Sequence, residues 1–211
     1  MSDNSRQEIL NRIAAVRTKR VAAVDIQQTD SEEIYKPIFP DAISCFKSEL
    51  ETINGHCILC ENESEITLKV KEFLELNRLS TVYCRDSVIA EKLSNAGISH
   101  TNNTENFENM EVGITGCEFL VARTGSVIIS SATESGRQMN VFPPIHLVIA
   151  SASQLVDYLS EALVAEQKKY GINLPSTIST ITGPSRTADI EKTLVLGAHG
   201  PKEFIVFLSK N

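Results

Sequence analysis

Between residues 57 and 97 the chain reads CILC-ENE-SEITLKVKEFLEL-NRL-STVYC-R-DSVIAEKLSN-AG. Cys57 to Cys60 is a short apolar run with no polar alternation, which fits a strand covered on both faces. Ser64 to Leu76 has the helical period, with Ile66, Val70, Phe73 and Leu74 on one face. Glu63 and Glu65 suit the positive end of that helix. Ser80 to Cys84 is the next strand. Asp86 caps a helix running to Asn95, and Gly97 closes it. Ile98-Ser99-His100 begins a further strand. Strand, helix, strand, helix, strand is the grammar of a parallel sheet with helices on its faces. On such sheets ligands sit in loops at the carboxyl ends of strands. The chain has neither G-x-G-x-x-G nor a Walker lysine, which disfavours a standard dinucleotide or P-loop site.

Upstream, Ser5 to Arg20 reads as a helix. Ile9, Ile13 and Val16, with Leu10 beside them, form an apolar stripe, and Arg6, Arg12, Arg17, Lys19 and Arg20 make the rest basic. An acidic, polar stretch from Asp25 to Glu33 follows. The stripe has three places to dock: its own domain, a second copy of the chain, or a partner. The expected division is an N-terminal helix and linker over residues 1–35 and an α/β domain over 36–211. Pro37 and Pro40 mark the entry to that domain. Asp41 caps a helix to Ile53 with Ile43, Phe46 and Leu50 on one face, and Asn54-Gly55 ends it.

Downstream, Thr101 to Asn109 is a polar loop. Two β-rich runs, within Val112 to Ser130, flank Arg123-Thr124-Gly125-Ser126. The Thr-Gly pair predicts a hairpin-type turn and an antiparallel pair added to the sheet. Ser131 to Gln138 is small and polar, a loop that lets backbone approach a ligand. Its Arg137 reads either as an anion clamp or as a solvated loop charge. Phe142 to Ala150 is a proline-led strand. His146 within it reads as a satisfied core residue or as a group for acid–base work. Ser153 is expected to cap a helix to Lys169 with Leu155, Leu159, Ala162 and Leu163 inward. Lys202 to Leu208 is the last strand.

The last quarter concentrates the reactive residue types: Thr182-Gly183-Pro184-Ser185-Arg186-Thr187-Ala188-Asp189-Ile190-Glu191, then Gly197-Ala198-His199-Gly200-Pro201. If Ser185 caps a short helix, its first N–H groups face an anion, and Arg186 adds a fork for carboxylate or phosphate. Asp189 and Glu191 then hold that arginine, a substrate hydroxyl or a proton. The plain alternative is a structural turn with a surface Arg–Glu pair.

Twenty Lys and Arg against 27 Asp and Glu give a net charge of -7. That balance argues against a sequence-independent nucleic-acid binder and against an anionic membrane as the main partner. No apolar run approaches the roughly 18 residues of a membrane helix, and Met1 to Arg6 leads into an amphipathic stretch rather than an apolar leader. The expected location is the cytoplasm. Five cysteines, an odd number, argue against a disulfide framework there. Cys57 and Cys60 match C-x-x-C by letter, but three residues apart on a strand they point to opposite faces.

With the segments laid out, the chain resembles the LUD-domain family, in its lactate-utilization protein C (LutC/YkgG) group. The residues that carry the resemblance are Thr115-Gly116-Cys117, Ala122 to Ser126, Gly136-Arg137, Pro144-Ile145-His146, Gly183 to Glu191 and Gly197 to Pro201. It covers about residue 40 to the end. The resemblance implies a three-layer α/β/α sandwich with a mostly parallel sheet, like the NagB/RpiA/CoA-transferase group. It also implies a part in oxidising L-lactate to pyruvate beside iron–sulfur partner proteins, with no cofactor of the chain's own. The site so implied has His146, Asp189, Glu191 and His199 as catalytic residues. Thr124, Gly125, Ser126, Gly136, Arg137, Gly183, Ser185 and Arg186 would bind a small carboxylate or phosphate. One departure stands out: the family usually has an acid before Thr-Gly, and this chain has Arg123. Two alternatives share the same residues, a transferase, hydrolase or ligase for a phosphate- or CoA-linked ligand, and a non-catalytic regulatory subunit.

Overall fold

A computed structural model of the chain describes residues 3–17, 36–103, 109–187 and 195–211. The chain divides into two units, Met1–Pro37 and Ile38–Asn211. In the first, α1 (Asp3–Arg17) is a helix on which Ile9, Leu10 and Ile13 are exposed and Arg12 pairs with Glu8 one turn away. Lys19, Arg20 and the acidic stretch after them lie outside the described residues.

The second unit is a mixed α/β sandwich. Its central sheet holds β1 (His56–Cys60), β2 (Val82–Cys84), β3 (Val112–Thr115), β6 (Ile145–Ser151) and β11 (Glu203–Ser209). The order is β1-β11-β6-β3-β2, with every pairing parallel. The last strand of the chain therefore lies inside the sheet, between the first and the sixth. Alternation on β11 shows why it fits there. Ile205 and Phe207 enter one core, and Phe204, Val206 and Leu208 enter the other.

The first core lies under α3 (Glu63–Leu76) and α4 (Ser87–Asn95), which bury Ile66, Val70, Leu74, Ile89 and Leu93 on the sheet. Asn62 caps α3 through the Glu65 N–H, and Asp86 caps α4 through Val88 and Ile89. The second core is covered by α2 (Ala42–Thr52), capped by Asp41, and by a separate four-stranded sheet. That sheet contains β4 (Phe119–Val121), β5 (Ser126–Ser130), β7 (Leu155–Val156) and β8 (Ile178–Ile181) in the order β7-β4-β5-β8. Cys57 falls in the second core and Cys60 in the first, so the C-x-x-C pair is split by the strand.

Three expectations are corrected. The antiparallel pair β4–β5 does not extend the parallel sheet. The chain leaves β3 at Gly116, and the pair builds the second sheet, with the Thr124-Gly125 turn where it was expected. Ile98 to His100 is not a strand; only an isolated bridge between Tyr83 and Thr101 forms there. Ser153 does not start a long helix. Ser151 and Gln154 close a capping box around a 3-10 turn, Leu155 and Val156 pair with β4, and α5 begins only at Leu159 and runs to Tyr170. The inward face of α5 is Ala162 and Glu166, while Leu159 and Leu163 are exposed. Glu166 has both carboxylate oxygens buried without a partner. Nearby, the buried Glu118 accepts from Ser130 Oγ (2.7 Å), Tyr170 Oη (2.6 Å) and Lys169 Nζ (2.5 Å).

Among the described residues no helix is long and apolar enough to cross a membrane.

Candidate functional site

Two glycines hold the motif turns against α2. Gly125 sits at φ +58°, and a Cβ there would stand 2.3 Å from the backbone N of Leu50. Gly183 sits at φ +79°, and its Cβ would lie 2.9 Å from the carbonyl O of Ile53. No side chain fits at either place, which explains a glycine in each motif. Hydroxyls then tie the two turns together. Thr124 Oγ1 and Ser126 Oγ are 2.8 Å apart, and Ser126 Oγ and Thr182 Oγ1 are also 2.8 Å apart. Arg123 faces outward from the turn and pairs with Glu49 of α2 at 3.0 Å. A carboxylate thus stands beside this turn, supplied by α2.

The chain continues from Gly183 into the second cluster of motif residues. The Ser185 N–H donates to the Pro201 carbonyl at 2.8 Å, and the Gly197 N–H donates to the Ser185 carbonyl at 3.0 Å. Gly200 packs on Ser185, with its missing Cβ 3.1 Å from the Ser185 Cβ. Ser185 caps no helix. Arg186 and Thr187 form β9, which pairs antiparallel with β10 (Val195–Leu196). Arg186 is exposed. Asp189 and Glu191 lie outside the described residues.

The Gly197–Gly200 turn borders an open cavity of about 370 Å³ at the amino edge of the parallel sheet, lined by Phe142, Pro144, Gly197, His199, Gly200 and Lys202 among others. His199 is exposed in it. Lys202 is anchored by its backbone, whose N–H donates to the Pro144 carbonyl at 2.8 Å. The result is an imidazole and an ammonium on one glycine-shaped wall, a combination that can hold an anion and exchange a proton.

The remaining expected residues sit elsewhere. His146 is fully buried in β6, flanked by Gly113 and Phe204 in register. Its Nε2 is 2.9 Å from Thr115 Oγ1, its Nδ1 has no partner, and its ring lies 5.3 Å from that of Phe204. Burial drives its pKa down to about 3, so the ring is neutral at ordinary pH. Arg137 is exposed and donates to Ser176 Oγ. Gly136, at φ +64°, is near Arg85. Among the described residues no hydrogen bond or ion pair joins the Gly136–Arg137 group to the Ser185–Pro201 group.

Lys202 and Phe142 line the cavity although no motif marks them in the sequence. Both look like strand-entry positions, and only the return of β11 beside β6 brings them to the His199 turn. The thiols are poor nucleophile candidates. Burial pushes Cys57 and Cys84 up to about 12, and burial with the Glu118 carboxylate raises Cys117 as well.

A crystal structure of a DUF162 family protein from Deinococcus radiodurans superposes with a TM-score of 0.60 over 80% of this chain and 96% of that one, at 15% identity, which shows a shared fold. "Lactate utilization protein C" of Bacillus velezensis is 26% identical over 92% of this chain and 91% of its own length. The protein of that name from Bacillus subtilis is 37% identical over 47% of this chain, and an uncharacterized Neisseria meningitidis protein, NMB1437, is 35% identical over 50%. These last two matches span less than half of those relatives, 42% and 45%. The LUD domain model matches residues 43–209, nearly the whole second unit, and the chain belongs to the LUD domain family.

Proposed function

We propose that the protein acts in lactate utilisation, as a LutC-like component of an assembly that oxidises L-lactate to pyruvate. The observation that carries this reading is the cavity lined by His199 and Lys202, whose Gly197–Pro201 wall is hydrogen-bonded to Ser185, in a chain similar over nearly its full length to a protein named for lactate utilisation. Lys202 and Arg186 supply positive charge for the substrate carboxylate. His199 takes the hydroxyl proton, and Asp189 and Glu191 of the same motif are kept as acid–base residues on their chemistry alone. The Thr124–Ser126–Thr182 hydroxyl chain fixes the wall behind them.

Oxidation of lactate removes two electrons and two protons. This chain would bind the carboxylate and take the hydroxyl proton, while the C2 hydrogen and the two electrons would have to be accepted by the iron–sulfur partner proteins. His146, neutral and buried, positions β6 behind the cavity through Thr115.

Calorimetry with L-lactate and pyruvate tests the reading, on the isolated chain and on the chain mixed with its iron–sulfur partners. Saturable binding that weakens in Arg186→Ala and Lys202→Ala supports it. No heat from either preparation overturns it.

A further inference from the structure

The opposite edge of the parallel sheet carries a second cavity, which touches the Gly116-Cys117 motif but none of the residues given a binding or catalytic role above. It measures about 280 Å³ and opens between the first turns of α3 and α4, over the carboxyl ends of β3, β6 and β11. This is where open parallel sheets bind ligands. Its position does not depend on the amino-edge site.

The wall is half apolar. Ile66, Ile89 and Ile149 supply one side, and Ser151, Ser209 and Asp86 supply polar groups. Asp86 divides its two oxygens. Oδ1 accepts from the N–H groups of Val88 and Ile89, both at 3.1 Å, and so caps α4. Among the described residues no hydrogen bond reaches Oδ2. It stands 3.8 Å from where a Cβ on Gly116 would lie, across open space that the glycine leaves. The Ser209 hydroxyl is buried and makes only a long 3.4 Å bond to the Ala150 carbonyl. Gln154 is spent on the wall itself, accepting from the Ser151 N–H and donating to the Cys117 carbonyl.

Charge decides the class of ligand. The charged lining residues are Glu63, Asp86 and Lys92, and the Lys92 ammonium is held by Glu63 at 2.6 Å. The carboxylate left without a counter-charge is Asp86, so the cavity repels anions. The start of α4 offers a phosphate nothing, because Asp86 holds two of its N–H groups and Glu134 holds that of Ser87 at 2.5 Å. A ligand that donates a hydroxyl proton to Asp86 Oδ2 and lays C–H surface on the isoleucines matches both halves of the wall.

We infer that the carboxyl-edge cavity binds an uncharged polyhydroxylated small molecule, a polyol or a free sugar, with Asp86 Oδ2 as the principal acceptor.

The test is an amide nuclear magnetic resonance titration of the full chain with D-ribose and xylitol, and separately with L-lactate, inorganic phosphate and spermidine. Saturable shifts at Gly116, Cys117, Ser151 and Ser209 with ribose or xylitol are expected. Asp86→Asn keeps the helix cap, since Asn caps as well as Asp. It should weaken binding roughly ten- to a hundredfold, as loss of a hydrogen bond to a charged group does. Gly116→Val, whose Cβ meets nothing closer than 3.7 Å, fills the space and should abolish the shifts. Absence of saturable shifts with both ribose and xylitol overturns the inference. So does a stronger response of the same amides to lactate, phosphate or spermidine, or binding undiminished in Asp86→Asn.

Discussion

Ser126 Oγ and Thr182 Oγ1 stand 2.8 Å apart and join two turns separated by 56 residues of chain. Each turn also carries a glycine pressed on α2, Gly125 at Leu50 and Gly183 at Ile53. Two of the family motifs, the Thr124–Ser126 and Thr182–Gly183 turns, therefore meet as one wall whose shape is set by contact with a helix. Ser185 passes that shape on to Pro201 and the His199 turn through the backbone.

Replacing Gly125 by alanine should cost about 3 kcal/mol of stability, because backbone strain and a clash with Leu50 add together. Urea denaturation reads this directly. Gly116→Ala is the control, since a methyl there has room, and it should stay within about 1 kcal/mol. Equal effects at the two glycines would deny the close approach to α2.

The Arg123–Glu49 pair is partly exposed, with side-chain exposures of 34% and 37%. A double-mutant cycle with Arg123→Ala and Glu49→Ala should give a coupling below about 1 kcal/mol. A larger coupling would mean that the arginine does more for the turn than hold a surface carboxylate.

His146 should not titrate across the neutral range. Burial holds its folded pKa near 3, against a usual 6.5. The unfolded chain thus takes up a proton on this ring before the folded chain does. Its contribution to stability is fully present above pH 6.5 and is lost as pH falls from 6.5 towards 3. His146→Phe should flatten that part of the stability profile. Ring-proton chemical shifts that move between about pH 6 and 8 would contradict the buried, neutral ring.

Glu166 and Glu118 titrate in opposite senses. Burial, and then the Glu118 charge, raises Glu166. Burial also works to raise Glu118, but hydrogen bonds from Lys169, Tyr170 and Ser130 outweigh it and hold that carboxylate below its usual range. Glu166 therefore stabilises the fold while protonated, and that stability is lost as pH rises through its folded pKa. Glu166→Gln should raise the melting temperature more at about pH 8 than at about pH 4. A shift of the same size at both would mean that the Glu166 charge is not desolvated.

The parallel core could be read from residues 57–97 because two helical periods alternate with two apolar runs, and the strand that splits Cys57 from Cys60 followed from its own period. The second sheet could not be read. Every residue of β5 is buried, so the run looks the same in either sheet, and only the break at Gly116 sends it elsewhere. Leu155 fits a helix face in the sequence, because a two-residue strand is too short to show a period. Motif letters located the turns around Gly125, Gly183 and Gly200, where conformation demands glycine. They gave no sign that His146 would be sealed in the sheet, nor that Lys202 would reach the cavity, since both depend on which strands become neighbours. Asp189 and Glu191 fall outside the described residues.

The most direct test of the lactate reading is L-lactate-dependent reduction of an electron-accepting dye by extracts of cells with and without this gene. Loss of the activity on deletion is predicted, with recovery from the wild-type chain and none from a chain carrying Arg186→Ala and His199→Ala together. Full activity without the gene would contradict a role for this protein in lactate oxidation.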